Sequence, residues 1–226
     1  MKKETIYWQT QLVEFINNHV QAILSTPPCK FSEADFQNAA YEHLLKVMPL
    51  EECIAIEEKL KIHLDDEYAK WKKLDLRIHT PMMSRKYLFE FKKANKPTID
   101  SIKEVVEDLI RLALISKKDP ENSYCFFLLC GNKSHIDEFL NDKRINTILP
   151  KPSKEIAPYQ QFYHSGLPTT IKGTDKLAAE RLKLDGIAVK IIKHEIGSKN
   201  QTILFQVSDH KEKFKESIAY NFKIDD

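Results

Sequence analysis

Residues 73–93 decide the fold of this chain, and they read KLDLRIHTPMMSRKYLFEFKK. The first part alternates the apolar residues Leu74, Leu76 and Ile78 with polar ones, which is the pattern of a strand with one buried face. The last part, residues 87–93, alternates in the same way. Because only a short loop separates the two strands in sequence, we expect them to pair antiparallel.

Charged residues interrupt both strands and form a candidate site. Strand alternation places Glu90 and Lys92 on one face, about 6 to 7 Å apart. Pairing with the preceding strand brings Asp75 close to Glu90, so that two carboxylates converge. With the backbone carbonyl of Phe91 they offer the oxygen ligands that Mg²⁺ (or Mn²⁺) takes. A bound cation would polarise a phosphoryl oxygen and activate water, while Lys92 would orient that water or offset developing charge. These residues therefore predict phosphodiester hydrolysis.

A simpler interpretation of the same residues is structural. Glu90 and Lys92 could form a solvated ion pair worth roughly 0 to 1 kcal/mol, and Asp75 could be a surface acid among lysines. The context favours the site, because Asp75 lies at the start of an apolar strand and the Glu-x-Lys triplet lies within an aromatic one. A helical pattern and a continuously apolar strand then follow, in the order that a crossover connection needs.

The segments before these strands predict two helices and a further strand. An apolar stripe at helical spacing over residues 4–24 indicates a long amphipathic helix. Ser32 is a suitable N-cap for a second helix, with Asp35 in the position of a capping-box acid. Over residues 54–64 the apolar side chains fall mostly on even positions, as in a strand. This strand completes an antiparallel meander of three.

The segments after the aromatic strand predict a helix and a buried strand. Thr98 can cap a helix over residues 99–116, which has a broad apolar face. Residues 124–130 are continuously apolar, as in a strand covered on both sides, and the preceding helix allows it to pair parallel to its neighbour. We expect Gly131 to end this strand and Ser134 to cap a short helix.

The remaining residues, 150–226, are expected to be a C-terminal extension. Several prolines predict an irregular connector at its start. A helix over residues 175–184 follows, and then a hairpin of two strands, 187–196 and 202–207. We therefore divide the chain into a core with its N-terminal helix, residues 1–149, and this extension, which can pack on the same domain.

The composition narrows the function classes. A net charge of +2 over 226 residues does not by itself indicate a nucleic-acid binder. The four cysteines contain no C-x-x-C pair, which argues against structural zinc, and with only five glycines no glycine-rich phosphate loop exists. No apolar run is long enough for a transmembrane span or a secretory signal, so we expect a cytoplasmic protein without a membrane partner.

Two motifs carry a resemblance to a known family. The strand of residues 73–78, the spacing of fifteen residues from Asp75 to Glu90, and the segment 89–93 resemble the signature of the PD-(D/E)XK nuclease superfamily. This superfamily has the restriction-endonuclease-like fold. The resemblance covers residues 32–131. The proline that the family often has before its first acid is a leucine here, a departure that relatives share.

The resemblance implies an α/β core of helix, three-strand antiparallel meander, helix and parallel strand. It also implies a Mg²⁺ requirement, with Asp75 and Glu90 as metal ligands and Lys92 as the catalytic lysine. The expected function is that of a metal-dependent DNA endonuclease of restriction, defence or repair type. DNA is a better candidate than RNA, and a homodimer is possible by analogy with relatives. The alternative is a nuclease-like module that binds nucleic acid or protein without cutting.

Many members of the family also place an acid on the first core helix. Here Glu33 and Glu42 are both candidates, and the sequence does not choose between them. Either could instead be structural, Glu33 by stabilising the helix dipole and Glu42 as a solvated helix residue. Gln37 is a third possibility for the same space.

Basic residues close to the candidate site are expected to attract the phosphate backbone without reading sequence. Alternation also places His79 on the side of Asp75, so it is the one histidine retained as a candidate. The basic candidates are Lys72, Lys73, Arg77 and Lys93.

Overall fold

The computed structural model describes residues 8–25, 32–47, 53–59, 63, 73–80, 84–152, 161–165 and 179–209. Its helices and strands are, in chain order, α1 (Trp8–Ser25), α2 (Glu33–Val47), β1 (Cys53–Lys59), β2 (Lys73–Thr80), β3 (Arg85–Ala94), α3 (Ile99–Lys118), β4 (Ser123–Asn132), α4 (Lys133–Asn141), β5 (Gln161–Ser165), β6 (Gly186–Ile196) and β7 (Asn200–Ser208).

The strands form one mixed sheet in the order β1-β2-β3-β4-β7-β6-β5. Strands β1, β2 and β3 are an antiparallel meander, as predicted. Strand β4 pairs parallel to β3 after the crossover through α3, and the remaining pairs are antiparallel. The predicted α/β class is therefore confirmed.

Apolar side chains cover the sheet on both faces and form two cores. On one face Leu88 and Phe127 pack with residues of α3 and α4. On the other face Phe89 packs with residues of α1 and α2, and its ring stacks on that of Phe126 at a centroid distance of 5.0 Å. Alternate residues of β3 therefore face different helices, and Glu90 and Lys92, on the same face as Leu88, contact residues of α3.

The beginnings of α2 and α3 follow from capping residues that the sequence identified. The Asp35 carboxylate accepts a hydrogen bond from the Ser32 backbone N–H at 2.6 Å. Thr98 and Ser101 satisfy each other's backbone N–H groups in a reciprocal capping box. The prediction for α4 was wrong by two residues, because Asn132 is its N-cap and accepts from the Ser134 N–H.

Three other predictions need correction. Gly131 does not end β4 but pairs with Ala94, where a Cβ atom would lie 2.9 Å from the Ala94 carbonyl oxygen. The strand predicted over residues 54–64 is shorter, since β1 ends at Lys59 and His63 is helical. The connector predicted as irregular contains strand β5, which pairs with β6.

The C-terminal hairpin continues the sheet of the core. Strand β7 pairs with β4 over eight positions, so the sheet crosses the boundary at residues 149 and 150 that the sequence suggested. Of the helix predicted over residues 175–184, residues 179–184 are described: residues 179–181 are helical, and residues 182 and 183 form a turn that ends the helix. Residues 4–7 of the predicted first helix lie outside the described residues. None of the described helices has the length and apolar character needed to cross a membrane.

Candidate active site

Strands β2 and β3 separate at one end, and the site lies in this opening. Their ladder stops at the pair Leu76 and Phe89. One step further the register places Asp75 beside Glu90, with both side chains on the face that α3 covers. The Phe91 N–H donates to Asp75 Oδ2 at 2.6 Å. The Asp75 carboxylate therefore accepts the hydrogen bond of a β3 backbone amide at the point where β2 and β3 diverge.

The N-terminus of α2 brings a second carboxylate to the same edge of β3. The Lys93 N–H donates to Glu33 Oε2 at 3.0 Å, two residues beyond the Phe91 amide. The Lys92 ammonium lies 3.7 Å from the same oxygen and donates to Glu104 Oε2 of α3 at 2.8 Å. Lys92 is thus held between acids of two different helices.

Helix α3 supplies a buried ion-pair network behind Glu90. The Arg111 Nε donates to Glu90 Oε1 at 3.1 Å, and Arg111 Nη2 donates to Asp108 Oδ1. Glu90 is only 2% exposed, and Asp108 and Arg111 are also buried. Because charges removed from water are costly unless paired, this network depends on all three groups being present.

These groups enclose a cavity of about 210 Å³. Six of its lining side chains are acidic and three are basic, an excess of three negative charges if all are ionised. Such a cavity attracts a small cation and repels an unaccompanied phosphate. The lining residues are Glu33, Lys73, Asp75, Glu90, Phe91, Lys92, Glu104, Glu107, Asp108 and Arg111.

Three acids of the cavity, Asp75, Glu90 and Asp108, have a raised pKa and are harder to ionise than usual. Burial, with smaller contributions from Asp108 and Glu33, raises the pKa of Asp75 to about 6, although hydrogen bonds from Phe91 and with Glu90 oppose it. Burial also raises the pKa of Glu90 well above its ordinary value, despite the Arg111 guanidinium. A divalent cation bound between two such carboxyl groups can displace the protons that they hold.

Lys92 behaves in the opposite way. Burial works to lower the pKa of its ammonium, but the hydrogen bond to Glu104 and the nearby Glu33 outweigh it and the pKa is raised. Lys92 is therefore a charged donor at neutral pH. It can donate to an anionic oxygen without first having to acquire a proton.

The donor set fits a hard divalent cation. Asp75 and Glu90 face each other, and the N–H and C=O of a strand residue point to the same neighbour, so the Phe91 carbonyl shares the opening with Asp75. Among the described residues no three His, Cys, Asp or Glu side chains are grouped so as to hold a metal by themselves. Mg²⁺ commonly takes one or two carboxylates and fills its other positions with water and phosphate oxygens.

The structure brings most of the predicted site residues together. Asp75, Glu90, Phe91 and Lys92 all line the cavity, and so does Glu33. The two other candidates on α2 do not line it. Gln37 is half-buried elsewhere on the helix, and Glu42 is exposed. Glu33 is therefore the acid of α2 that joins the site, and Glu42 is corrected to a surface residue.

The predicted phosphate-attracting residues are more scattered. Lys73 is exposed and lines the cavity, whereas Arg77, Lys93 and His79 are half-buried and do not line it. Lys93 contributes through its backbone N–H, which Glu33 accepts. Lys72 lies outside the described residues.

Four charged residues of α3 belong to the cavity and were missed from the sequence. They occupy relative positions i, i+3, i+4 and i+7, which is one face of a helix. This charged stripe beside the apolar one was the signal that could have identified them. The residues are Glu104, Glu107, Asp108 and Arg111.

Replacement of Asp75 by asparagine is expected to stabilise the metal-free protein at pH 8. The folded-state pKa of about 6 exceeds the ordinary 3.8, so the folded state holds the proton more tightly, and wild-type stability falls as pH rises from about 4 to above 6. This difference corresponds to about 3 kcal/mol, and Asp75→Asn should recover about 1 to 3 kcal/mol of it. Urea unfolding at pH 5 and pH 8 in EDTA measures both values.

A matched control is Asp142→Asn. Hydrogen bonds from Arg144 lower the pKa of Asp142 to about 2, so its ionised form favours the folded state. This variant should lose stability at pH 8 or leave it unchanged. A decrease in stability for Asp75→Asn at pH 8 would show that the ionised Asp75 carboxylate does not destabilise the folded protein.

Comparisons of this chain with protein-family models, with curated proteins and with solved structures give no match.

Proposed function

We propose that this protein is a divalent-cation-dependent phosphodiesterase that cuts DNA. The observation that carries the proposal is the convergence of Asp75 and Glu90, adjacent in register at the opening between β2 and β3, on one cavity that Lys92 also lines. Two acids and one amine meeting in this way are the working groups expected of the PD-(D/E)XK superfamily. We accordingly propose a restriction-endonuclease-like core.

Each residue has a defined part in this proposal. Asp75, Glu90 and the Phe91 carbonyl would hold Mg²⁺ or Mn²⁺, which when bound supplies a Lewis acid and a water of lowered pKa. Lys92 donates a charged hydrogen bond to a non-bridging phosphate oxygen or to the attacking water. Glu104 and Glu33 hold the Lys92 ammonium in position and keep it protonated.

The charge balance of the cavity indicates how a phosphodiester would bind. An excess of three acids over bases does not retain a phosphodiester by itself, so substrate and cation are expected to bind together. The exposed Lys73 at the rim can contact the phosphate backbone. DNA is the substrate class that we propose, with RNA as a variant for the assay to separate.

The function is tested by incubating the full chain with supercoiled plasmid, linear duplex, single-stranded DNA and RNA in Mg²⁺, Mn²⁺ or EDTA. Cleavage of DNA in the presence of either cation, and none in EDTA, is the expected result. If all four substrates stay intact with both cations, the proposal is wrong.

The acid of α2 gives a paired prediction. Glu33→Gln should lower the rate of cleavage by about 10- to 100-fold, because Glu33 binds the Lys93 amide and lies beside the Lys92 ammonium, outside the Asp75 and Glu90 pair. Glu42→Gln makes the same chemical change on the exposed surface of the same helix and should leave the rate unchanged. Single-turnover cleavage rates of the two variants provide the measurement. Equal rates would show that Glu33 does not contribute to cleavage.

One observation favours a second function, that of a binding module without cleavage. Basic side chains of the cavity already have acidic partners, since Lys92 pairs with Glu104 and Arg111 pairs with Glu90 and Asp108. A cavity whose basic side chains are already paired in this way can persist without a substrate. Absence of any stabilisation by Mg²⁺ or Mn²⁺ would support this alternative.

A further inference from the structure

The geometry around Glu90 singles out Arg111, a residue of α3 that lies behind the two converging acids. The Arg111 Nε donates to one oxygen of Glu90, Oε1, at 3.1 Å. A different nitrogen of the same guanidinium, Nη2, donates to Asp108. Because a guanidinium is planar and its donors are rigidly arranged, fixing two of them fixes the whole group.

This arrangement constrains how Glu90 is presented to the cavity. One oxygen of the carboxylate is engaged by Arg111, while Asp75, adjacent in register, lines the same cavity. Rotation of the Glu90 carboxylate would break the bond to Arg111, and movement of Arg111 would break its bond to Asp108. All three side chains are buried, so water cannot replace a lost partner cheaply.

We propose that Arg111, anchored by Asp108, is a positioning residue that orients the Glu90 carboxylate for divalent-cation binding at Asp75 and Glu90. This inference rests on the proposed function, because it assumes that these two acids bind a cation. It extends the site to a helix face outside the strand motif, which supplies Asp75, Glu90 and Lys92. Hydrogen bonds that fix a ligand carboxylate commonly affect metal affinity by about 10- to 100-fold.

A lysine cannot do the same work as Arg111. Its single ammonium has three donors that rotate together and no fork, so it can satisfy Glu90 or Asp108 but does not hold both in one fixed geometry. An arginine-to-lysine change keeps the buried positive charge and removes only the orientation. This difference separates positioning from simple charge balance.

The test is Mn²⁺ titration of the full chain by calorimetry, with thermal unfolding in EDTA measured on the same samples. The variants are Arg111→Gln and Arg111→Lys. We expect Mn²⁺ affinity to fall by about 10- to 100-fold in Arg111→Gln and by an intermediate factor in Arg111→Lys. The matched control is Arg144→Gln, which removes an arginine from an exposed pair with Asp142 and should leave Mn²⁺ affinity unchanged.

The outcomes are distinguishable. If wild type binds Mn²⁺ and both Arg111 variants bind it equally well, the positioning role is overturned while the proposed function stands, even if the variants unfold at lower temperature. If Arg111→Gln does not fold, the affinity of Arg111→Lys decides by the same criterion. If wild type binds no Mn²⁺, the proposed function fails and this inference fails with it.

Discussion

Glu90→Gln and Asp75→Asn are each expected to lower the rate of DNA cleavage by about 10³-fold or more. Each substitution replaces a carboxylate by an amide of the same shape, so the charge that would hold the cation is reduced while the packing is retained. Loss of several kcal/mol of transition-state stabilisation corresponds to this factor. Single-turnover assays at saturating Mg²⁺ measure the change.

The matched control for these two variants is Glu138→Gln. Glu138 lies exposed on α4, and the same change of acid to amide there should leave cleavage as in wild type. Asp75→Asn has a second use, because it is expected to be inactive yet more stable than wild type at pH 8. Retention of cleavage by Glu90→Gln or Asp75→Asn, within tenfold of wild type, would contradict the assignment of these carboxylates.

Lys92→Met is expected to lower the cleavage rate by about 10²- to 10³-fold while leaving Mn²⁺ affinity within a few-fold of wild type. The ammonium is a donor toward developing negative charge, and removal of one such donor commonly costs this factor. Because Lys92 contacts Glu33 and Glu104 rather than Asp75, its loss should spare the cation ligands. Combined kinetics and titration separate the two effects.

Lys151→Met provides the control for that variant. The Lys151 ammonium forms an ion pair with the Asp137 carboxylate at a distance of 3.2 Å, and neither residue lines the cavity. Its removal therefore tests the general effect of losing a paired lysine. It should cleave DNA at the wild-type rate. A Lys92→Met protein that cuts as fast as the Lys151 variant would exclude Lys92 from the reaction.

The part of the site on β2 and β3 could be predicted because strand alternation is a local property. Glu90 and Lys92 are two residues apart, and their common face follows from the backbone alone. The approach of Asp75 needed only a short antiparallel connection, which the sequence displayed. The bonds from the Phe91 and Lys93 amides to carboxylates were not predictable, because they depend on the two strands separating just there.

The site residues that helices α2 and α3 supply depend on tertiary packing, so they were harder to predict from the sequence. Glu33 is the first residue of α2 and Glu42 lies nine residues further along, and only the docking of that helix decides which of them meets the edge of β3. Asp108 and Arg111 have the spacing of a charged stripe, but nothing in the sequence shows that this stripe is buried against the sheet. Strand β5 was missed because nearby prolines predicted an irregular segment.

The most direct test of the central claim is a crystal of the full chain soaked with Mn²⁺ and measured for anomalous scattering. A peak about 2 Å from carboxylate oxygens of both Asp75 and Glu90, and absent from a soaked Asp75→Asn crystal, is the predicted result. A fully soaked wild-type crystal with no peak in the cavity, or with its peak on other residues, would contradict the claim.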